Sequence, residues 1–184
     1  MFELYPGAYY SAAGTRYRVT NFWFNGFRGG ADLVRLSKNK WGSTYPLTSM
    51  KPEIVEIFEH YNVNGLEIAY VEAKILWSVY GYTLDTNQGS GAHRLNDPLF
   101  YSSRSKGLLF KVPSITSAIA FRDINTFEAS LHALVHVILH ASLPFIGGQL
   151  NEINGLALLP SGHILLFDQE TGSGVCAMLI DHLD

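Results

Sequence analysis

A single cysteine, Cys176, stands in the 184 residues, which excludes an internal disulfide and a cysteine-rich zinc site. Charge is scarce too. Only 16% of residues are Asp, Glu, Lys or Arg, against roughly 25% in an average globular protein. With 47% hydrophobic residues, the chain is no disordered tail, and it calls for deep burial or a surface covered by more protein. The opening MFELYPGAYY has neither a basic start nor an apolar run, so no secretory leader is read there and a cytoplasmic protein is expected. No internal repeat and no low-complexity tract occurs.

What is present is a change of grammar at Pro113. Before it the chain is strand and turn. Ala8–Ser11, Tyr17–Phe24 and Ala31–Leu36 read as a β-meander with a turn at Asn25-Gly26. A loop is expected over SKNKWGSTYP, then a strand in EIVEIFEHY and a second hairpin turn at Asn64-Gly65. Leu66–Leu84 reads as one long strand and DTNQGSGAH as a loop. Leu99–Tyr101 and Leu108–Val112 are read as two strands around Arg104-Ser105-Lys106-Gly107.

After Pro113 comes the longest helix signal, NTFEASLHALVHVILHASLPFIGG. Asn125 is the expected N-cap, with Glu128 completing a capping box. A helix so apolar is expected to be surrounded by the fold. Its length approaches a membrane span, but three histidines, Pro144 and the lack of flanking basic residues favour a buried soluble helix and no membrane partner. Short strands at Leu156–Leu159 and Ile164–Phe167 follow, then a glycine turn and a helix over Val175–His182. The fold class expected is α+β: a β-rich, meander or barrel-like N-terminal lobe over 1–114, and a smaller αβ lobe over 115–184 built on one long buried helix at 126–143.

Three groups of residues could carry chemistry. His132, His136 and His140 recur every four residues on the helix. Two of them could share a zinc ion, whereas the third lies about 12 Å along the axis from the first. The glutamate of an HExxH protease is absent. The stripe reads otherwise as neutral histidines hydrogen-bonded at a lobe interface, or as a proton-transfer or nucleic-acid contact.

The turn FDQETGSGVC has the outline of an anion-binding loop, but lacks the Gly-Lys-Ser/Thr of a Walker A loop and carries Asp168 and Glu170. Its glycines also suit a strand-to-helix reversal, and Cys176 suits a small buried hydrophobe. Third, residues 1–51 hold seven basic and two acidic residues, while the remainder holds six basic and fourteen acidic. Arg16, Arg18, Arg28, Arg35, Lys38 and Lys40 interleave with Tyr17, Phe22, Trp23, Phe24, Phe27 and Trp41. They could track a nucleic-acid backbone, or be the solvated face of a sheet whose aromatics form the core.

FEASLHALVHVILHASLPFIGG followed by GHILLFDQETGSGVCAMLI resembles the C-terminal accessory domain, of unknown function, in MrfA-type superfamily-2 DEAD/DEAH DNA helicases. The matching positions are His132 near the helix start, Phe167-Asp168 at a strand end, and Gly172 and Gly174 in the turn. The opening GAYYSAAGTRYRV is similar as well, through Gly7, Tyr9, Tyr10, Gly14, Tyr17 and Val19. The resemblance implies a non-catalytic domain that helps a helicase, on the same or a neighbouring polypeptide, through DNA-backbone or motor contacts. Arg16, Arg18, Arg28, Arg35, Lys38 and Lys40 are the residues expected to meet the backbone. The helicase motor and the family's four-cysteine zinc cluster are absent from this sequence, so neither ATP hydrolysis nor zinc is carried over, and no cofactor is expected. The alternatives are a small metal-assisted enzyme using His132 and His136, and a pure protein-interaction module.

Overall fold

The computed structural model describes residues 3–25, 28–37, 42–86, 89–112, 123–147 and 151–183. Strands dominate. β1 (Tyr9–Ala12), β2 (Thr15–Phe24) and β3 (Gly29–Arg35) form an antiparallel meander in the order β1-β2-β3. β4 (Gly42–Val63), β5 (Leu66–Thr86), β6 (Gly89–Lys111), β7 (Ile153–Leu158) and β8 (His163–Asp168) form a second sheet ordered β4-β5-β6-β8-β7. The helices are α1 (Ile124–Ile146), the single turn α2 (Val175–Met178) and a 3-10 turn at Ile180–His182.

The chain divides into two compact units that interleave in sequence. Unit 1 holds Met1–Lys51 with Leu76–Ser102, and unit 2 holds Pro52–Ile75 with Ser103–Asp184. β4, β5 and β6 each give one stretch to each unit, so this division does not follow the change of composition near Pro113. Residues 113–122, where that change falls, lie outside the described set.

Several loops expected from composition are strand. Gly42–Pro46 opens β4, and the polar run after Leu84 belongs to the ends of β5 and β6, with only 87–88 outside the described residues. Arg104–Gly107 is no turn: β6 runs straight through it. Polar composition misled here because Ser105 is buried and donates its hydroxyl to the carbonyl of Asp168 at 2.7 Å, while Arg104 meets Glu72 at 3.1 Å on the surface. The Asn64-Gly65 turn is present as expected, both residues having positive φ (52° and 84°), a conformation Asn and Gly adopt at least cost.

Unit 1 closes on a small core of Tyr5, Ala8, Val19, Val79 and Tyr82. Gly7, at φ 95°, is required there, since a Cβ at that position would meet the Tyr82 ring. Unit 2 packs α1 on β7 and β8. Phe127, Leu131, Val135, Leu139 and Ile146 fall on one helical stripe and are buried with Ile153, Ile164 and Leu166. Gly155 of β7 lets the helix approach, because a side chain there would collide with Val135.

α1 departs from expectation in two ways. Its N-cap is Asp123, not Asn125: the Asp123 carboxylate accepts from the backbone amides of Asn125 and Thr126. The Thr126 hydroxyl, also donating to it at 2.7 Å, contributes most to holding that carboxyl below the usual carboxylate range. Nor is the helix surrounded. By length and composition it could cross a bilayer, yet only one stripe is buried, and Ile124, Val137 and Phe145 are at least half exposed.

Candidate functional site

The glycine turn is built around a carboxylate. β8 ends on Asp168, which is 2% exposed, and the chain reverses through Gly172 and Gly174 at φ 84° and 73°. The Asp168 side chain accepts from the amide of Gly174 at 3.0 Å and from that of Cys176 at 2.7 Å. The amides that would hold an external anion at the start of α2 are therefore already bound to the protein's own carboxylate. The turn is a structural clasp. Burial first, and then Asp168, push the Cys176 thiol well above its ordinary range, which removes it as a nucleophile.

The histidine stripe lies on the solvent side of α1. His132 and His136 face each other, Nε2 to Nε2 at 3.1 Å, with their rings edge to face. One ring must donate and the other accept. The same two nitrogens could instead supply two of zinc's four ligands, each at roughly 2.0–2.1 Å from the ion. Among the described residues no cluster of three or more His, Cys, Asp or Glu is placed to hold a metal.

The basic segment is dispersed by the sheet. Arg16 and Arg18, two apart on β2, share one face, and the Arg16 guanidinium lies over the Tyr9 ring and donates to the carbonyl of Gly42. Arg35 pairs with Tyr17, the residue between them, and so belongs to the opposite face. Arg28 sits in the β2–β3 turn, where its amide donates to the Asn25 side chain. Lys38 and Lys40 lie outside the described residues.

What joins cations together is a cleft of about 400 Å³ in unit 1, lined by Pro6, Gly7, Arg18, Val19, Thr20, Tyr82, Arg94, Leu95 and Asn96. Among the described residues no carboxylate lines it. On the meander, Asp32 is engaged by the Asn21 amide at 3.2 Å. Arg94 was not legible as a partner of Arg18, because 76 positions separate them and Arg94 falls just after the run 85–93 that reads as loop.

Charge follows the units. Unit 1 carries eight basic and four acidic residues, and unit 2 five basic and twelve acidic. The positive field therefore belongs to one compact body.

Two outcomes follow. Asp168→Ala, which leaves the buried Cys176 amide and the half-buried Gly174 amide without an acceptor, should cost about 2–4 kcal/mol in urea unfolding; an unchanged midpoint would refute the clasp. A divalent transition metal added to the purified protein should bind weakly and be lost on dialysis against EDTA. His136→Ala should abolish that binding and His140→Ala should leave it intact. An ion retained through EDTA would show further ligands.

No protein-family profile and no curated protein matches the chain. Among solved structures it is similar to the DUF1998 helicase MrfA bound to DNA, with a TM-score of 0.59 and 16% identity over 98% of this chain and 24% of that one. The DUF1998 helicase MrfA determined without DNA gives 0.53 and 14% over 97% and 24%. This chain spans about a quarter of the length of those proteins, and at such identities the likeness is one of fold: the 184 residues share the fold of a quarter-length portion of the DUF1998 helicase MrfA.

Proposed function

We propose that this chain is a DUF1998-like, helicase-associated accessory domain, equivalent to the part that follows the motor, and that unit 1 holds nucleic-acid backbone. The observation that carries the reading is the carboxylate-free cleft lined by Arg18 and Arg94 within the basic unit. Among the described residues neither arginine is held in an ion pair, so both side chains are available to phosphate oxygens. Arg16, Arg28 and Arg35 add to the field around the cleft without lining it, and Lys38 and Lys40 add to the charge of the same unit.

Motor contact is the second role, supported by unit 2. An apolar groove of about 340 Å³ between α1 and the sheet is lined by Val137, Ala141, Phe145, Leu179 and Leu183 among others. Val137 and Phe145 stand open beside it. A helicase motor is the occupant that the fold likeness suggests.

Each role has its own readout. Oligonucleotide binding should weaken about 10–50-fold between about 50 and 200 mM salt, as expected for three or four neutralised phosphates. Removing the charges of Arg18 and Arg94 together should flatten that slope. No binding at low salt, or a slope unchanged by the double substitution, would reject backbone contact. The motor role predicts that a purified MrfA-type motor co-elutes with this chain without DNA, and that Phe145→Glu abolishes the co-elution. Co-elution that survives the substitution would move the contact elsewhere.

A further inference from the structure

The solvent side of α1 carries no charge along most of its length. From Ala129 to Gly147 the chain has no Asp, Glu, Lys or Arg, and Ala129, His132, Ala133, His136 and His140 all face solvent. The outer face of a surface helix is ordinarily charged. Here imidazole takes the place of charge.

His132 and His136 present the same atom to the same point. Their Nε2 atoms stand 3.1 Å apart, with the rings nearly perpendicular at 85°. Two nitrogens on one zinc, each at roughly 2.0–2.1 Å and at a tetrahedral angle, stand about 3.3 Å apart. The pair is therefore spaced for an ion already. The ring that donates in the hydrogen bond has only to carry its proton on Nδ1, and both Nε2 lone pairs are then free for a metal. Ala129 and Ala133 stand beside the pair, so no long side chain covers it from that side.

What the pair lacks is two ligands. Zinc takes four and accepts imidazole well, yet among the described residues no third His, Cys, Asp or Glu converges with these two. His140 is a further turn away, about 12 Å along the axis from His132. A two-fold axis doubles whatever lies beside it, so a second copy of this chain brings a second pair to the same ion and completes the tetrahedron. Charge favours that occupant, because pairing an uncharged face with itself sets no like charges together. An antiparallel pairing centred between the two histidines also sets Glu128 of one copy level with His140 of the other, each being six residues from the midpoint. The apolar groove is left open, since Ala141 and Phe145 lie roughly 160° around the helix from the pair.

We propose that His132 and His136 are half of an intermolecular zinc site, and that the ion joins two copies of this chain through their α1 helices. The inference stands apart from the nucleic-acid and motor readings, since it uses neither the cationic cleft nor the apolar groove.

The test is sedimentation velocity of the whole 184-residue chain in zinc chloride and in EDTA, with titration calorimetry for stoichiometry. Zinc should about double the sedimenting mass at about one ion per two chains, and EDTA should restore the monomer. The apparent zinc affinity should rise with chain concentration, which a site within one chain would not show. Cobalt in place of zinc should give the visible bands of tetrahedral coordination. His136→Ala should abolish the dimer and the bands, and His140→Ala should keep both. Both positions are exposed, so the fold should survive, which circular dichroism checks. One ion per chain with no change in mass would overturn the proposal, as would a dimer that persists in EDTA or in His136→Ala.

Discussion

Three long strands carry the architecture. β4, β5 and β6 are 22, 21 and 23 residues long, several times the usual strand, and each gives one stretch to each unit. A strand that serves both units needs buried positions on both sides of the point where they divide. β5 meets this condition most fully: Val71, Ala73, Ile75, Trp77 and Val79 alternate as buried residues across the point where the units divide. A proline or an insertion in the middle of β5 would therefore disturb both cores at once.

That dependence explains what could be read from the chain and what could not. Hairpins announced by local chemistry were legible: Asn25-Gly26 between β2 and β3, although Gly26 itself is outside the described residues, and Asn64-Gly65 between β4 and β5. The β-branched run of β4 and the apolar run of β5 were legible by composition. Strand over Gly89–His93 was not, since its glycines and polar residues have the composition of a turn, and strand over Arg104–Gly107 was not, since Ser105 satisfies its hydroxyl through Asp168, distant in sequence. The interleaving of the units is a property of strand pairing, which no single stretch displays. The helix cap failed by two residues for a related reason: Asp123, Asn125 and Thr126 are all good cap residues, and only geometry selects among them.

The site was legible in part. A basic, aromatic segment before residue 51 is visible in composition, and it does belong to the positive unit. Its members do not act as a row, because alternation sends Arg35 to the face opposite Arg16 and Arg18. The missing partner, Arg94, comes from a part of the chain whose own charge balance is slightly negative, with Asp85 and Asp97 nearby in sequence. Dividing charge by unit rather than by sequence turns a contrast between the first third and the rest into one between compact bodies of eight basic and four acidic residues and of five and twelve.

The histidine helix and the glycine turn drew the eye in the sequence, and the structure gives physical reasons to set both behind unit 1. An anion loop needs uncommitted amides, and Asp168 has taken those of Gly174 and Cys176. A tight metal site needs three or four converging ligands, and His132 and His136 converge only on each other. What unit 2 retains is an apolar flank on α1 that costs solvent exposure of Val137 and Phe145, a cost of hydration that a covering surface would relieve. Unit 1 offers a cleft with two arginines and no carboxylate among its described lining residues. The two units thus present different features to solvent, one electrostatic and one apolar.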